Sequence, residues 1–121
     1  MFLALPYPAC LRELDTLDMD FSKLNGLIPA VVQDATTRDV LMVGFMNADA
    51  LAQTLASGYV TFFSRTRNRL WTKGETSGNR LAVRDLFTDC DADTVLILAT
   101  REGDGLVCHE GTVSCFTRQL T

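Results

Sequence analysis

The sequence is poor in the features that mark several large classes of protein. It has only three prolines among 121 residues, no low-complexity stretch and no internal repeat, which excludes a fibrous or intrinsically disordered chain. No run of about 18 apolar residues occurs, so we expect no membrane-spanning helix. The apolar residues 1–10 lack a basic region and contain two prolines, a poor match to a secretory signal. We therefore expect a cytoplasmic protein that does not bind membranes.

Positive charge is also scarce, since eleven Lys and Arg residues face fifteen Asp and Glu residues. The net charge of −4 argues against general nucleic-acid binding, which requires a basic surface. Five of the eleven basic residues nevertheless lie within residues 65–80. One local basic segment in an acidic protein favours a small anionic ligand, and the alternative is a solvated strand rich in arginine.

The chain does contain 47% apolar residues, enough for one core, and we predict a single domain over residues 1–121 with an N-terminal extension, 1–20. Apolar runs on either side of the polar residues 34–39 predict a hairpin. A helix is predicted over about residues 47–57, because Asn47 is a good N-cap and a glycine follows at the end.

Further strands are predicted from apolar, aromatic and β-branched runs. With the hairpin they make about seven strands and one main helix, which is a β-rich α+β domain. These additional strands are expected at residues 59–63, 81–87, 94–99, 106–107 and 113–117.

Residues 64–80 form a long polar stretch between the predicted strands, and such a stretch in a compact domain is usually a functional loop. Its glycines can expose backbone N–H groups, and its hydroxyl and basic side chains can bind phosphate. Trp71 could stack on a base or belong to the core. The side chains that we expect to bind a substrate are Arg65, Arg67, Trp71, Lys73, Glu75, Thr76 and Ser77, together with the backbone of Gly78.

Four cysteines without a secretory signal indicate thiols or metal ligands in a reducing compartment. Cys90, Cys108 and Cys115 could supply three thiolates to zinc and leave the fourth position to water, as in catalytic sites. The alternative is that these cysteines only pack in the core. Cys10 is distant in sequence and is predicted to be a bystander.

Asp89, Asp91 and Asp93 alternate with other residues around Cys90. If this segment is extended, the three carboxylates share one face at about 7 Å spacing and favour a hard cation such as Mg²⁺ or Ca²⁺. The alternative is an Asp-rich surface strand end. Because Cys90 would point away from that face, a zinc shared across a symmetric dimer would gather all three thiols.

His109, the single histidine, follows a predicted zinc ligand, so we interpret it as a general base or proton shuttle and not as a structural residue. Glu110 beside it could suggest a zinc deaminase. That signature, however, needs one residue between histidine and glutamate and a downstream Pro-Cys-x-x-Cys, and neither is present.

Three ordered motifs, at residues 71–78, 89–93 and 108–116, resemble those of the phosphoribosyl-AMP cyclohydrolase family of histidine biosynthesis. The likeness covers about residues 21–116. The chain departs from the family pattern at a few positions, which are Phe63, where tryptophan is common, and Glu110, Thr112 and Val113, where threonine and basic residues are usual.

The resemblance implies an intertwined homodimer with a folded, barrel-like mixed sheet. It further implies zinc held by Cys90 of one subunit and by Cys108 and Cys115 of the other, and magnesium at the three aspartates. The implied reaction is hydrolytic opening of the C6–N1 bond of N1-phosphoribosyl-AMP by zinc-bound hydroxide, with His109 managing the proton. Two alternatives stay open: a zinc-dependent nucleobase deaminase, and a non-catalytic module whose zinc links two subunits.

Overall fold

The computed structural model of this protein describes residues 18–121, so Cys10 and nearly all of the predicted N-terminal extension lie outside it. Within this range the chain forms six strands and one α-helix. In chain order these are β1 (Ile28–Asp34), β2 (Val40–Met46), α1 (Ala48–Ser57), β3 (Thr61–Ser64), β4 (Arg69–Thr72), β5 (Leu81–Thr88) and β6 (Val95–Arg101).

The predicted hairpin and helix are confirmed. Strands β1 and β2 pair antiparallel on either side of the predicted turn. Helix α1 begins where the side chain of Asn47 accepts a hydrogen bond from the N–H of Ala50, at 2.8 Å. It ends at Gly58, whose left-handed φ of 79° a residue with a Cβ atom adopts less readily. Capping signals therefore set both ends of α1.

The main sheet has four strands in the order β2-β1-β6-β5, and β1 pairs with β6 in parallel. This mixed sheet stays open, so the prediction of a barrel is wrong. The predicted count of about seven strands is also too high, because the described residues do not form strands at 106–107 or 113–117. The two segments are joined by isolated backbone hydrogen bonds, such as the one from the N–H of Val107 to the carbonyl of Val113, at 3.3 Å, and these do not form a ladder.

A second sheet, β3 paired with β4, packs over the first and closes the core. Phe62 of β3 is 1% exposed and lies against Gly44 of β2. Thr54 of α1 fixes the helix to β3, because its hydroxyl accepts a hydrogen bond from the N–H of Thr61, at 3.0 Å. The core thus consists of the apolar faces of β1, β2 and β6 beneath the helix and this hairpin.

The polar segment 64–80 is only partly a loop, since β4 lies within it. The sequence Arg69–Thr72 alternates polar and apolar residues weakly, and its strand conformation comes from pairing with β3. What remains are a turn at residues 65–68 and a loop at 73–80. In the described part of the chain, no helix has the length and apolar character that crossing a membrane requires.

Candidate active site

The acidic motif lies in the turn of the β5–β6 hairpin, residues 89–94. The paired strands end at Thr88 and Val95, so the chain must reverse its direction within this segment. Ala92 accordingly has a left-handed backbone, with a φ of 57°. The expectation that residues 89–93 are extended is therefore wrong, because strand pairing on both sides of the motif forces a turn. We call residues 89–94 the acidic turn.

The acidic turn brings three carboxylates closer together than a strand would. One oxygen from each of Asp89, Asp91 and Asp93 lies within 4.8 Å of the others, compared with the spacing of about 7 Å expected along a strand. Among the residues described, no other set of three Asp, Glu, His or Cys side chains approaches this closely. Carboxylate oxygens so arranged fit the preferences of a hard cation such as Mg²⁺.

A lysine from the start of the described chain neutralises part of this charge. The Nζ atom of Lys23 lies 2.8 Å from Oδ2 of Asp91 and 2.7 Å from Oδ2 of Asp93. This ammonium lowers the pKa of Asp93 to about 2. Partial desolvation raises the pKa of Asp89 although its side chain is exposed, and the neighbouring carboxylates of Asp93 and Asp91 add to that effect. The acidic turn therefore combines a strongly acidic carboxyl group, that of Asp93, with a more weakly acidic one, that of Asp89.

Two of the three predicted zinc ligands lie together in the C-terminal segment. Cys115 is fixed to β2, because its N–H donates to the carbonyl of Leu41 at 2.8 Å. Cys108 begins a tight turn in which the N–H of Gly111 donates to its carbonyl at 3.0 Å. The two thiols are close enough for each to shift the pKa of the other. We call Cys108 and Cys115 the thiol pair.

The two thiols differ in acidity. The backbone N–H of Glu110 and the nearby hydroxyl group of Thr112 lower the pKa of Cys108. Partial desolvation raises the pKa of Cys115 although this residue is exposed, the nearby Cys108 acts in the same direction, and the charge of Lys73 opposes them. A readily ionised thiol is a ready metal ligand, since metals bind the thiolate form. Lys73, in the loop at residues 73–80, is therefore near enough for its charge to lower the pKa of Cys115.

Cys90 lies elsewhere, exposed in the acidic turn. Within residues 18–121 it joins no group of three ligands with the thiol pair, so one chain supplies two of the three predicted thiolates at one place. His109 follows Cys108 in the same tight turn and is exposed. The shared zinc site itself stays a prediction.

The loop at residues 73–80 has a defined shape. Glu75 closes it on β4, because the N–H of Thr72 donates to its Oε1 at 2.7 Å and its own N–H donates to the carbonyl of Thr72 at 3.0 Å. Gly74 is required, since a Cβ atom there would lie 2.4 Å from the backbone of Asn79 and its φ is 81°. Glu75 therefore shapes the loop. The loop exposes Thr76, Ser77 and Gly78.

The other predicted substrate-binding residues flank this loop. Arg67 is exposed in the β3–β4 turn, and the guanidinium of Arg65 in the same turn lies 4.7 Å from the ring centroid of Phe45. Trp71 is half-buried, with its ring centroid 5.2 Å from that of Phe62. Of the two interpretations of Trp71, this contact favours a core residue.

Sequence reasoning missed two residues that shape the site. Lys23 lies 68 positions before Asp91, and no spacing rule connects them. Asn79 joins the loop at 73–80 to the segment that leads into the thiol pair. Its Nδ2 donates to the carbonyl of Leu106 at 3.3 Å, and its Oδ1 accepts from the N–H of Asp104 at 2.9 Å. Asn79 therefore fixes the end of this loop to the segment that precedes the thiol pair.

The sequence that carries these motifs matches a known family. Residues 42–117 match the sequence profile of the family described as phosphoribosyl-AMP cyclohydrolase. The chain belongs to the phosphoribosyl-AMP cyclohydrolase family.

Individual relatives agree with this assignment. The chain is 51% identical over 104 residues to a phosphoribosyl-AMP cyclohydrolase of Solibacter usitatus, covering 86% of this chain and 82% of that protein. It is 57% identical over 100 residues to the histidine biosynthesis bifunctional protein HisIE of Bacteroides thetaiotaomicron, covering 83% and 48% of the two chains. For HisIE of Escherichia coli the identity is 55% over 106 residues, covering 88% and 51%. The chain thus spans about half the length of the bifunctional relatives.

Proposed function

We propose that this protein hydrolyses the purine ring of N1-phosphoribosyl-AMP at the C6–N1 bond, giving the imidazole carboxamide formimino intermediate of histidine biosynthesis. The observation that carries the proposal is the 51% identity to the Solibacter usitatus phosphoribosyl-AMP cyclohydrolase over 82% of that protein. The thiol pair, the acidic turn and His109 supply groups suited to this hydrolysis. A reducing cytoplasm, which keeps thiols available, is the compartment that we infer.

The proposed zinc ligands are Cys108 and Cys115 of one subunit and Cys90 of a second subunit in a homodimer. The donor set fits zinc, because the thiols of Cys108 and Cys115 are close enough to shift each other's pKa and the pKa of Cys108 is lowered toward the thiolate form. Cys90 is exposed and therefore available to another chain. When bound, zinc would supply a nucleophilic water at neutral pH, because it lowers the pKa of water from about 15.7 to about 7.

The substrate itself makes a modest nucleophile sufficient. Substitution at N1 gives the adenine ring amidinium character, so that C6 is electrophilic. The oxygen of water bonds to C6, the C6–N1 bond breaks, and that oxygen becomes the carboxamide oxygen. A proton from the water must reach N1 as this nitrogen leaves. His109 is exposed beside Cys108, and we assign this proton transfer to its imidazole.

The phosphates of the substrate require cationic partners. Magnesium held by Asp89, Asp91 and Asp93 would provide one, and the fit rests on three carboxylate oxygens within 4.8 Å of one another. Lys73 is the preferred protein contact, because its charge already acts on the thiol pair at Cys115. Arg65, whose guanidinium packs against the ring of Phe45, is a second candidate cation.

Spectroscopy on the zinc-loaded protein tests the proposal. Opening the purine ring changes its chromophore, so we expect the ultraviolet spectrum of phosphoribosyl-AMP to change with turnover and the product mass to rise by one water. Release of ammonia would instead indicate a nucleobase deaminase. An unchanged spectrum with zinc and magnesium bound would favour the non-catalytic dimerisation module.

A further inference from the structure

The three carboxylates of the acidic turn already have a cation among them. Lys23 places its Nζ 2.8 Å from Oδ2 of Asp91 and 2.7 Å from Oδ2 of Asp93. Magnesium–oxygen distances are about 2.0–2.1 Å, so a metal ion bound to these oxygens would lie where the ammonium group now bonds to them. An ammonium group and a magnesium ion cannot both occupy this space.

Lys23 is held near the acidic turn by contacts that do not involve its charge. The N–H of Asp20 donates to the carbonyl of Ala92 in the turn, at 2.7 Å. Phe21 packs against the core, and its carbonyl accepts from the N–H of Gly26 at 2.8 Å. The backbone on both sides of Lys23 is therefore fixed while its side chain, 49% exposed, can rotate away.

We infer that Lys23 is a tethered competitor for the divalent cation at the acidic turn. Its ammonium group offsets the repulsion among the carboxylates when no metal is bound, and it must leave Asp91 and Asp93 when the metal enters. Because the displaced ion pairs are part of the binding equilibrium, Lys23 weakens cation affinity. This inference rests on the magnesium site of the proposed function.

Calorimetric titration of the zinc-loaded full chain with Mg²⁺, and separately with Mn²⁺, at fixed ionic strength tests the inference. We expect Lys23→Gln to bind either cation about three- to fivefold more tightly than wild type, the upper part of the range that corresponds to losing a partly exposed ion pair. Lys23→Arg, which keeps the charge, should stay within about twofold of wild type. Arg84→Gln removes one exposed positive charge from β5 and should leave the affinity unchanged.

Nuclear magnetic resonance of the lysine side chain supplies the second measurement. The Lys23 ammonium signal should shift toward that of a free lysine as Mg²⁺ is added, with a midpoint at the calorimetric Kd. A general electrostatic effect would change the affinity without releasing the ammonium group. A signal that does not move while Mg²⁺ binds would therefore overturn the competition.

The outcomes separate this inference from the proposed magnesium site. Asp91→Asn should weaken cation binding if the acidic turn is the site. If Asp91→Asn weakens binding but Lys23→Gln leaves it unchanged or weaker, the competitor role is overturned and the magnesium site stands. If neither cation binds to wild type or to Lys23→Gln, both are overturned.

Discussion

The Nε atom of Arg101 lies 2.6 Å from Oδ2 of Asp34, where it joins the C-terminal ends of the parallel neighbours β6 and β1. The same guanidinium donates from Nη1 to the carbonyl of Gly105, at 2.7 Å. One arginine therefore ties the edge of the sheet to the segment that leads into Cys108. This link fixes the chain at Gly105, shortly before it reaches Cys108.

Asp34→Asn should lower the free energy of unfolding by about 1–3 kcal/mol at neutral pH, because Arg101 loses a charged partner. Burial alone would raise the pKa of Asp34, but hydrogen bonds from Arg101, Thr37 and Thr36 lower it on balance below 3.8. Its stabilisation is therefore complete above the unfolded pKa and is lost as the pH falls through the lower folded pKa.

Urea unfolding of wild type and Asp34→Asn between pH 7 and pH 3 checks this prediction. The two stabilities should converge toward the acidic end. A difference that stays constant over the whole range would contradict an electrostatic origin.

Gly44→Ala should destabilise the fold, since a Cβ atom at this position would lie 2.5 Å from two atoms of the Phe62 ring. We expect a loss of about 1–3 kcal/mol, the usual cost of overpacking a core. Thermal unfolding measures it, and Val43→Ala, at an exposed neighbouring position, serves as the control. In the double variant with Phe62→Leu the two losses should fall short of their sum, because the smaller side chain relieves the clash.

Cys90→Ser and Cys115→Ser should each abolish zinc binding and turnover, and together they test whether the site is shared. If Cys90 completes the site of the other subunit, co-refolding equal amounts of the two variants yields heterodimers with one intact site. Random pairing should then restore about a quarter of the wild-type sites. A mixture of Cys108→Ser and Cys115→Ser should restore none. Absence of recovery in the first mixture would contradict the shared zinc.

His109→Ala should keep its zinc but lose about 10²- to 10⁴-fold in kcat, the usual contribution of a positioned proton carrier. Zinc content by mass spectrometry and steady-state kinetics are measured on the same sample. Glu110→Ala, the adjacent exposed residue, is the matched control and should retain most of its kcat. Wild-type kcat in His109→Ala would remove the histidine from the reaction.

Asp89→Asn should stabilise the metal-free protein at neutral pH. The folded pKa of Asp89 is raised above 3.8, mainly by partial desolvation, so its ionised form destabilises the fold at every pH above the folded pKa. Oδ1 of asparagine can still accept the hydrogen bond from the N–H of Asp93, which lies at 3.1 Å. The variant should melt higher than wild type at pH 7, and this advantage should vanish as the pH falls through the folded pKa.

Addition of Mg²⁺ should reverse that order, since only wild type has all three carboxylates. Asp85→Asn, an exposed substitution on β5, controls for the change in net charge. If Asp89→Asn melts lower than wild type in the absence of metal, the ionised carboxylate of Asp89 does not destabilise the fold and the prediction is wrong.

Local signals account for the parts of the fold that sequence predicted. Asn47 and Gly58 mark the ends of α1 through their own hydrogen bonding and backbone preference. The conformation of residues 89–93 was not predictable in this way, because it follows from the pairing of Thr88 with Val95 and not from the alternating Asp pattern. The motifs identified the candidate ligands, but their spacing gave the wrong local geometry.

Contacts between distant residues account for the rest. Lys23 contacts Asp93, which lies 70 positions later in the sequence, and neither residue type nor spacing predicts this ion pair. Strand β4 owes its conformation to pairing with β3, because its own four residues alternate too weakly to predict a strand. Such features depend on the assembled sheet, and patterns among residues that are neighbours in sequence do not predict them.

Strand β1 lies inside the sheet, and its two sides are completed at different times. Its pairing with β2 involves nearby residues, whereas Ala30 must wait for Val95 before its other side is paired. During synthesis the first hairpin therefore leaves the ribosome with an open, apolar strand edge that any other nascent chain could pair with. Truncations or stalled translation before β6 should consequently yield aggregates, and slow elongation through residues 60–94 is a hazard for expression.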